Sequence, residues 1–145
     1  MQVAEILREK GASVTTVTPE TTIGSACDTL RSIGVGALVV SADGATIDGI
    51  LSERDIVRAL GGAAPLDLLD RPCAEIMTAE VITCSPADRV QQLMSSMTER
   101  RIRHLPVTVD GNLRGIISIG DVVKSRLSEL EAETRLLEDY IHHGR

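Results

Sequence analysis

Two stretches of this chain place the same polar residues at the same spacing: Gly49-Ile50-Leu51-Ser52-Glu53-Arg54-Asp55 and Gly115-Ile116-Ile117-Ser118-Ile119-Gly120-Asp121. Each reads G-x-x-S-x-x-D, at a junction where a β-type run gives way to a helical one. A serine there with an acid three residues later makes a capping box, and the serine alone stabilises a helix start by up to about 2 kcal/mol. The same arrangement gathers a hydroxyl, backbone N–H groups and the positive end of a helix at one point, which suits an anion or a ribose. An aspartate in that place can accept two hydrogen bonds from a ribose diol. Seen once, the motif reads as a cap. Seen twice at matching places, it points to a paired ligand site.

A duplicated framework must position the two motifs. Val14-Thr15-Thr16-Val17-Thr18-Pro19 returns as Val81-Ile82-Thr83-Cys84-Ser85-Pro86, 67 residues on. The sets Ile23, Ala26, Cys27, Leu30 and Val90, Leu93, Met94, Met97 follow, each with the spacing of one buried helical stripe. β-type runs at 37–40 and 105–109 come next, then Asp43-Gly44 and Asp110-Gly111, each of which predicts a tight hairpin. Second strands at 47–51 and 113–117 lead into the motifs, where the spacing has fallen to 66, one residue being lost in the hairpin loop. Each repeat is therefore a β-α-β-β-α unit behind a short leading helix, near 3–9 and again near 74–77. The only Gly- and Pro-dense stretches, 61–65 and 70–72, read as a linker. This divides the chain into repeat one (1–62), linker (63–72), repeat two (73–127) and a tail (128–145). Neither repeat has the apolar surface for a secure core alone, so the two are expected to pack face to face as one module.

Composition narrows the partners. The chain has 145 residues, a net charge of −6 and no long basic run, and Tyr140 is its one aromatic residue. Nucleic acid is excluded as a partner on both counts, since it needs a cationic footprint and stacking platforms. Any bound base must be gripped by aliphatic side chains. Cys27, Cys73 and Cys84 show no CxxC spacing, so they read as buried thiols in a reducing compartment and not as a disulfide frame or zinc site. No apolar run approaches the roughly 18 residues of a membrane span, and the expected address is the cytoplasm. From 124 to 140 the chain lacks Gly and Pro, and Leu127, Leu130, Thr134, Leu137 and Ile141 are spaced 3, 4, 3, 4. That predicts a long amphipathic helix whose stripe a second subunit would cover.

The ordered set of Val-Thr-Thr-Val-Thr-Pro opening, Arg103-His104-Leu105-Pro106-Val107, Asp-Gly hairpin and twin G-x-x-S-x-x-D resembles a tandem pair of cystathionine β-synthase (CBS) domains, the Bateman module, over roughly residues 1–127. The resemblance implies a mixed α/β (α+β) fold of two CBS repeats with pseudo-twofold symmetry plus a C-terminal helix. It implies a regulatory module that binds adenosine-containing ligands (AMP, ADP, ATP, NAD(H), S-adenosylmethionine, sometimes cyclic dinucleotides) in two clefts between the repeats and dimerises. In that family the ribose aspartate of one repeat works with strand positions of the other. Carried over, the first cleft uses Ile50, Ser52 and Asp55 with Val81, Ile102, Arg103 and His104, and the second uses Ile116, Ser118 and Asp121 with Val14, Val35, Gly36 and Ala37.

Charge separates the two clefts. Arg103 and His104, with Arg101 and Arg54 nearby, border the first, whereas repeat one offers Gly34, Val35, Gly36 and Ala37 at the matching positions. The phosphate-bearing ligand is thus expected at Asp55, because a guanidinium's forked donors suit phosphate. The competing roles are a solvated helix end for Arg101 and Arg103, and a core histidine for His104. No catalytic triad, P-loop, dinucleotide fingerprint or metal-ligand spacing is present, so the chain reads as no enzyme, with no catalytic cofactor and no metal. Two readings stand. One is an energy or redox sensor that binds an adenine nucleotide (AMP, ATP or NADH) and signals through a homodimer or an effector protein in trans. The other is a structural adaptor dimer with empty clefts.

Overall fold

The computed structural model describes residues 1–144. The chain opens with α1 (Val3–Lys10), which buries Val3 and Ile6, followed by the short strand β1 (Thr16–Val17). Thr22 then starts α2 (Ile23–Ile33): its hydroxyl oxygen accepts the Ser25 N–H at 3.1 Å, and Ile23, Ala26 and Leu30 are buried as the stripe predicts. Gly34, left-handed at φ 76°, ends it. The fully buried β2 (Ala37–Val40) runs parallel to β1 and antiparallel to β3 (Gly49–Ser52), which feeds α3 (Glu53–Leu60). After two 3-10 turns, repeat two supplies α4 (Val90–Arg100), with Val90, Leu93 and Met97 buried, the antiparallel pair β4 (His104–Val109) and β5 (Asn112–Ser118), and α5 (Ile119–His143). The mixed α/β (α+β) architecture of two repeats plus a C-terminal helix holds.

The repeats differ where backbone chemistry intervenes. Val17 pairs with Val40 and Cys84 pairs with Val107 in the same way, but the neighbouring pair, Thr16 with Val39, has no counterpart. Val39 corresponds to Pro106, which has no N–H to donate, so the expected first strand of repeat two shrinks to one bridge. The predicted hairpins also diverge. Asp110 (φ 52°) and Gly111 (φ 78°) both adopt positive φ and close the two-residue turn from β4 to β5. In repeat one, residues 41–48 form a wider loop and the second strand starts at Gly49, not at 47. There the Asp43 carboxylate accepts the Thr46 N–H (2.7 Å) and the Ala45 N–H (2.8 Å), which together pull its pKa down to about 2. The side chain thus folds the chain around itself and no tight turn forms.

The leading segments cross over. Val3 and Ile6 lie in one core with Cys84, Val90, Leu93, Met97, Leu105, Val107, Ile117 and Val122, all of repeat two. Cys73 lies in the other with Val17, Ala26, Leu30, Leu38, Val40, Leu51 and Ile56 of repeat one, and Ile76 and Met77 pack against it. The backbone bonds match: Val3 N–H donates to Asp88 C=O and Ala4 N–H to Pro86 C=O, just as Cys73 N–H donates to Thr21 C=O and Ala74 N–H to Pro19 C=O. The pseudo-twofold relation is written in these bonds. It also explains the glycine that opens each motif. A Cβ on Gly49 would stand 2.6 Å from Met77 Sδ and 2.9 Å from the Thr78 carbonyl oxygen, and one on Gly115 would stand 2.6 Å from Leu7 Cδ2. Each leader lies directly on the motif strand of the other repeat.

The tail is one unbroken helix with the last element of repeat two. Only Val122 and Ser125 of α5 are buried, and Leu127, Leu130, Leu137 and Ile141 remain 56%, 42%, 64% and 65% exposed. No described helix is long and apolar enough to cross a membrane.

Candidate functional site

Both motifs fold into complete capping boxes. At the first, Asp55 Oδ2 accepts the Ser52 N–H (2.9 Å) and the Ser52 hydroxyl (3.0 Å), and the Ser52 oxygen accepts the Asp55 N–H at 3.3 Å. At the second, Asp121 Oδ2 accepts the Ser118 N–H at 2.9 Å and the Ser118 oxygen accepts the Asp121 N–H at 3.2 Å. Capping therefore operates at both places and does not distinguish them. What distinguishes them is what else reaches each carboxylate.

Asp55 faces a cavity of about 560 Å³. Ile50, Ser52 and Asp55 from repeat one and Val81, Ile102, Arg103 and His104 from repeat two all line it, so the seven residues expected at the first cleft come together, with Arg54 and Arg101 beside them. The second contact to Asp55 is the Thr78 hydroxyl, 3.3 Å from Oδ1. Thr78 arrives there because its N–H and C=O both pair with Ile50, at 2.9 and 3.0 Å. Aliphatic groups (Ile50, Val81, Ile82, Ile102) supply an apolar wall where no aromatic residue is available.

The cavity is cationic in an acidic protein. Arg54, Arg58, Arg100, Arg101 and Arg103 line it against Glu53, Asp55 and Glu80, five positive groups against three negative. Low-dielectric walls focus such a field on an anion. Arg54 also donates from Nη1 to the Arg101 carbonyl at 3.0 Å, bringing a cation to the carbonyl end of α4 and tying the two repeats across the rim. Arg101 holds the left-handed conformation at φ 53°, where repeat one uses Gly34. Burial lowers the His104 pKa below its ordinary value, with Glu53 opposing, so the ring is held toward its neutral form.

The residues expected at the second cleft do not converge in the same way. Gly36 lines the Asp55 cavity, and a Cβ on it would meet His104 Cε1 at 3.2 Å. Ala37 is buried in β2, and Val35 is 38% exposed. At Asp121 the Lys10 ammonium stands 2.7 Å from Oδ2 and donates also to the Ile116 carbonyl at 2.9 Å. Burial works to raise the Asp121 pKa, yet the Lys10 and Ser118 bonds outweigh it and hold the carboxyl below its usual range. Lys10, Thr78, Glu80, Arg58 and Arg100 were not among the expected site residues. A separate shallow groove of about 510 Å³ runs along α5 beside Val123 and Leu127.

Cys27, Cys73 and Cys84 are free thiols, and burial pushes the Cys84 pKa up to about 12. Among the described residues no group of three or more His, Cys, Asp or Glu could hold a metal ion.

A family model described as the CBS domain matches residues 3–62 and 73–128. A mitochondrial CBS domain-containing protein of Arabidopsis thaliana is 33% identical over 153 residues, covering 98% of this chain and 72% of that protein. A CBS domain-containing protein of Bacillus subtilis is 32% identical across 85% of this chain and 86% of its own length. Among solved structures, a CBS-domain containing protein from Agrobacterium tumefaciens is 44% identical, with a TM-score of 0.82, covering 87% of this chain and 99% of that one.

Proposed function

The chain belongs to the CBS-domain family, and from that premise we propose that it is a regulatory module whose signal is an adenine nucleotide bound in the Asp55 cleft. One observation carries the reading: a cavity of about 560 Å³ in which a helix-capping aspartate of repeat one faces an apolar wall and an arginine-rich rim built from both repeats. The volume lies in the usual range of small-molecule sites, about 300–1,000 Å³. Ile50, Val81 and Ile102 would grip the base, Asp55 the ribose diol, and Arg103 with its neighbouring arginines the phosphates. His104, being held toward neutrality, would offer one donor and one acceptor beside them.

Occupancy can act only through arrangements that the ligand tells apart. The exposed apolar stripe of α5 is the natural element for this, as the seam of a homodimer or the landing surface of an effector in trans. The same stripe favours a second reading, in which the chain is a structural adaptor and the boxes at Ser52 and Ser118 serve only as caps.

Dye-based thermal shift against AMP, ADP, ATP, NAD, NADH and S-adenosylmethionine separates the two, since a ligand at about 100 times its Kd adds roughly 2.7 kcal/mol of stability. A selective rise of several degrees, lost in Asp55→Ala, is expected. No rise with any of the six would leave the adaptor reading.

A further inference from the structure

The two motifs share their reciprocal Ser/Asp backbone caps, and one difference at the carboxylates themselves is a cation that reaches only Asp121. We propose that Lys10 closes the Asp121 cleft from within, so that the module takes one nucleotide, at Asp55, and not two. This rests on the nucleotide reading above.

Lys10 is the last residue of α1, a helix fixed at both ends of its contact face. Val3 and Ile6 are buried in the core of repeat two, and Leu7 lies over Gly115, the first residue of the motif. That docking carries the Lys10 ammonium to two acceptors at once, the Ile116 carbonyl at 2.9 Å and Asp121 Oδ2 at 2.7 Å. A diol would have to displace the Lys10 ammonium, a bond with both partners charged, and leave that cation without its carboxylate. The other leader behaves differently. After Met77, the residue that lies over Gly49, Thr78 pairs with Ile50, and the residue three places after Met77 is Glu80, an acid where the first leader has a cation. Asp55 meets only a neutral hydroxyl there, at 3.3 Å. The walls agree with the closure: of the residues that would serve a base at Asp121, Gly36 faces the Asp55 cavity and Ala37 is packed into its own sheet.

Isothermal titration of the full chain with ATP and with AMP reads the number of sites directly. Wild type is expected to take one nucleotide per chain and Lys10→Met two. Lys10→Arg, which keeps the ion pair, should stay at one. Asp121→Ala added to Lys10→Met should remove the second event, and Asp55→Ala the first. Lys10→Gln repeats the measurement should methionine disturb the docking of α1, which thermal unfolding monitors. Two sites in wild type, or one site in every Lys10 variant, overturns the role of Lys10 while leaving a nucleotide module standing. A site lost in Lys10→Met also overturns it, by making Lys10 a phosphate contact. No binding by any variant removes the nucleotide reading and this inference together.

Discussion

Asp55 and Asp121 occupy the same place in a duplicated unit, each accepts the N–H of a serine three residues before it, and they end up in different electrostatic settings. Asp55 looks onto a cavity bordered by five arginines, while Asp121 is clasped by a lysine delivered from the far end of the chain. The motif itself contributes only a cap. What lies across each cap differs: at Asp121 a helix with a cation at its end, at Asp55 a 3-10 turn followed by a hydroxyl. Duplication supplied two equivalent positions, and the leaders bring different groups to them.

The largest expected effect tests that asymmetry directly. Asp55→Ala should weaken adenine-nucleotide binding by about 1.5–3 kcal/mol, the range for hydrogen bonds to a charged group, or roughly 10- to 150-fold. Asp121→Ala in the wild-type background should leave affinity nearly unchanged, and equal losses at both positions in calorimetric titration would erase the contrast. The glycines sharpen it at the level of stability. Gly49→Ala drives a methyl against the Thr78 backbone as well as the Met77 sulfur, so denaturant unfolding should show a loss of about 1–3 kcal/mol. Gly115→Ala meets only the movable end of Leu7 and should cost clearly less.

Two smaller effects depend on pH. His104 is held below its ordinary value of 6.5, so the unfolded chain takes up a proton more readily than the folded one. Stability is full above about pH 6.5 and falls as the pH drops through the lowered folded value. The groups acting on the ring are Glu53, Lys10, Asp121 and Arg103, and His104→Gln should flatten the melting temperature between pH 7 and 5. The Asp121 carboxyl is also held low, so its contribution is complete above about pH 4 and disappears as the pH falls through its folded value. Lys10→Met should weaken that acid-side dependence by a smaller amount, readable in the same melts.

Much of this was legible in residue patterns. The stripe Ile23, Ala26, Leu30, the run Ala37–Val40 and the paired Ser52/Asp55 and Ser118/Asp121 each announce one local rule, and the structure obeys each. The misses arose where a side chain redirected the backbone. Asp43 accepts its own loop's amides and replaces a tight hairpin with residues 41–48, and Pro106 deletes a rung of pairing. Gly36, expected at the second cleft, lies beside His104 just ahead of β2, a matter of facing that spacing alone does not settle. The leaders carry a readable signal of their own: Val3-Ala4-Glu5-Ile6-Leu7 and Cys73-Ala74-Glu75-Ile76-Met77 share Ala-Glu-Ile, 70 residues apart. Aligned that way, Lys10 falls opposite Glu80, and the charge difference between the clefts appears in the sequence itself.

The exchange of leaders also determines how the molecule comes apart. Each core is closed by a segment from the opposite half, so cutting the exposed glycine-rich loop at 61–64 severs the chain without freeing either piece. The two fragments should remain associated and, made separately, should find each other on mixing. Either fragment alone would keep a leader with no groove to fill and a groove with no leader, which a second copy of itself could satisfy. A duplicated chain of this kind is a reciprocal dimer joined by a tether.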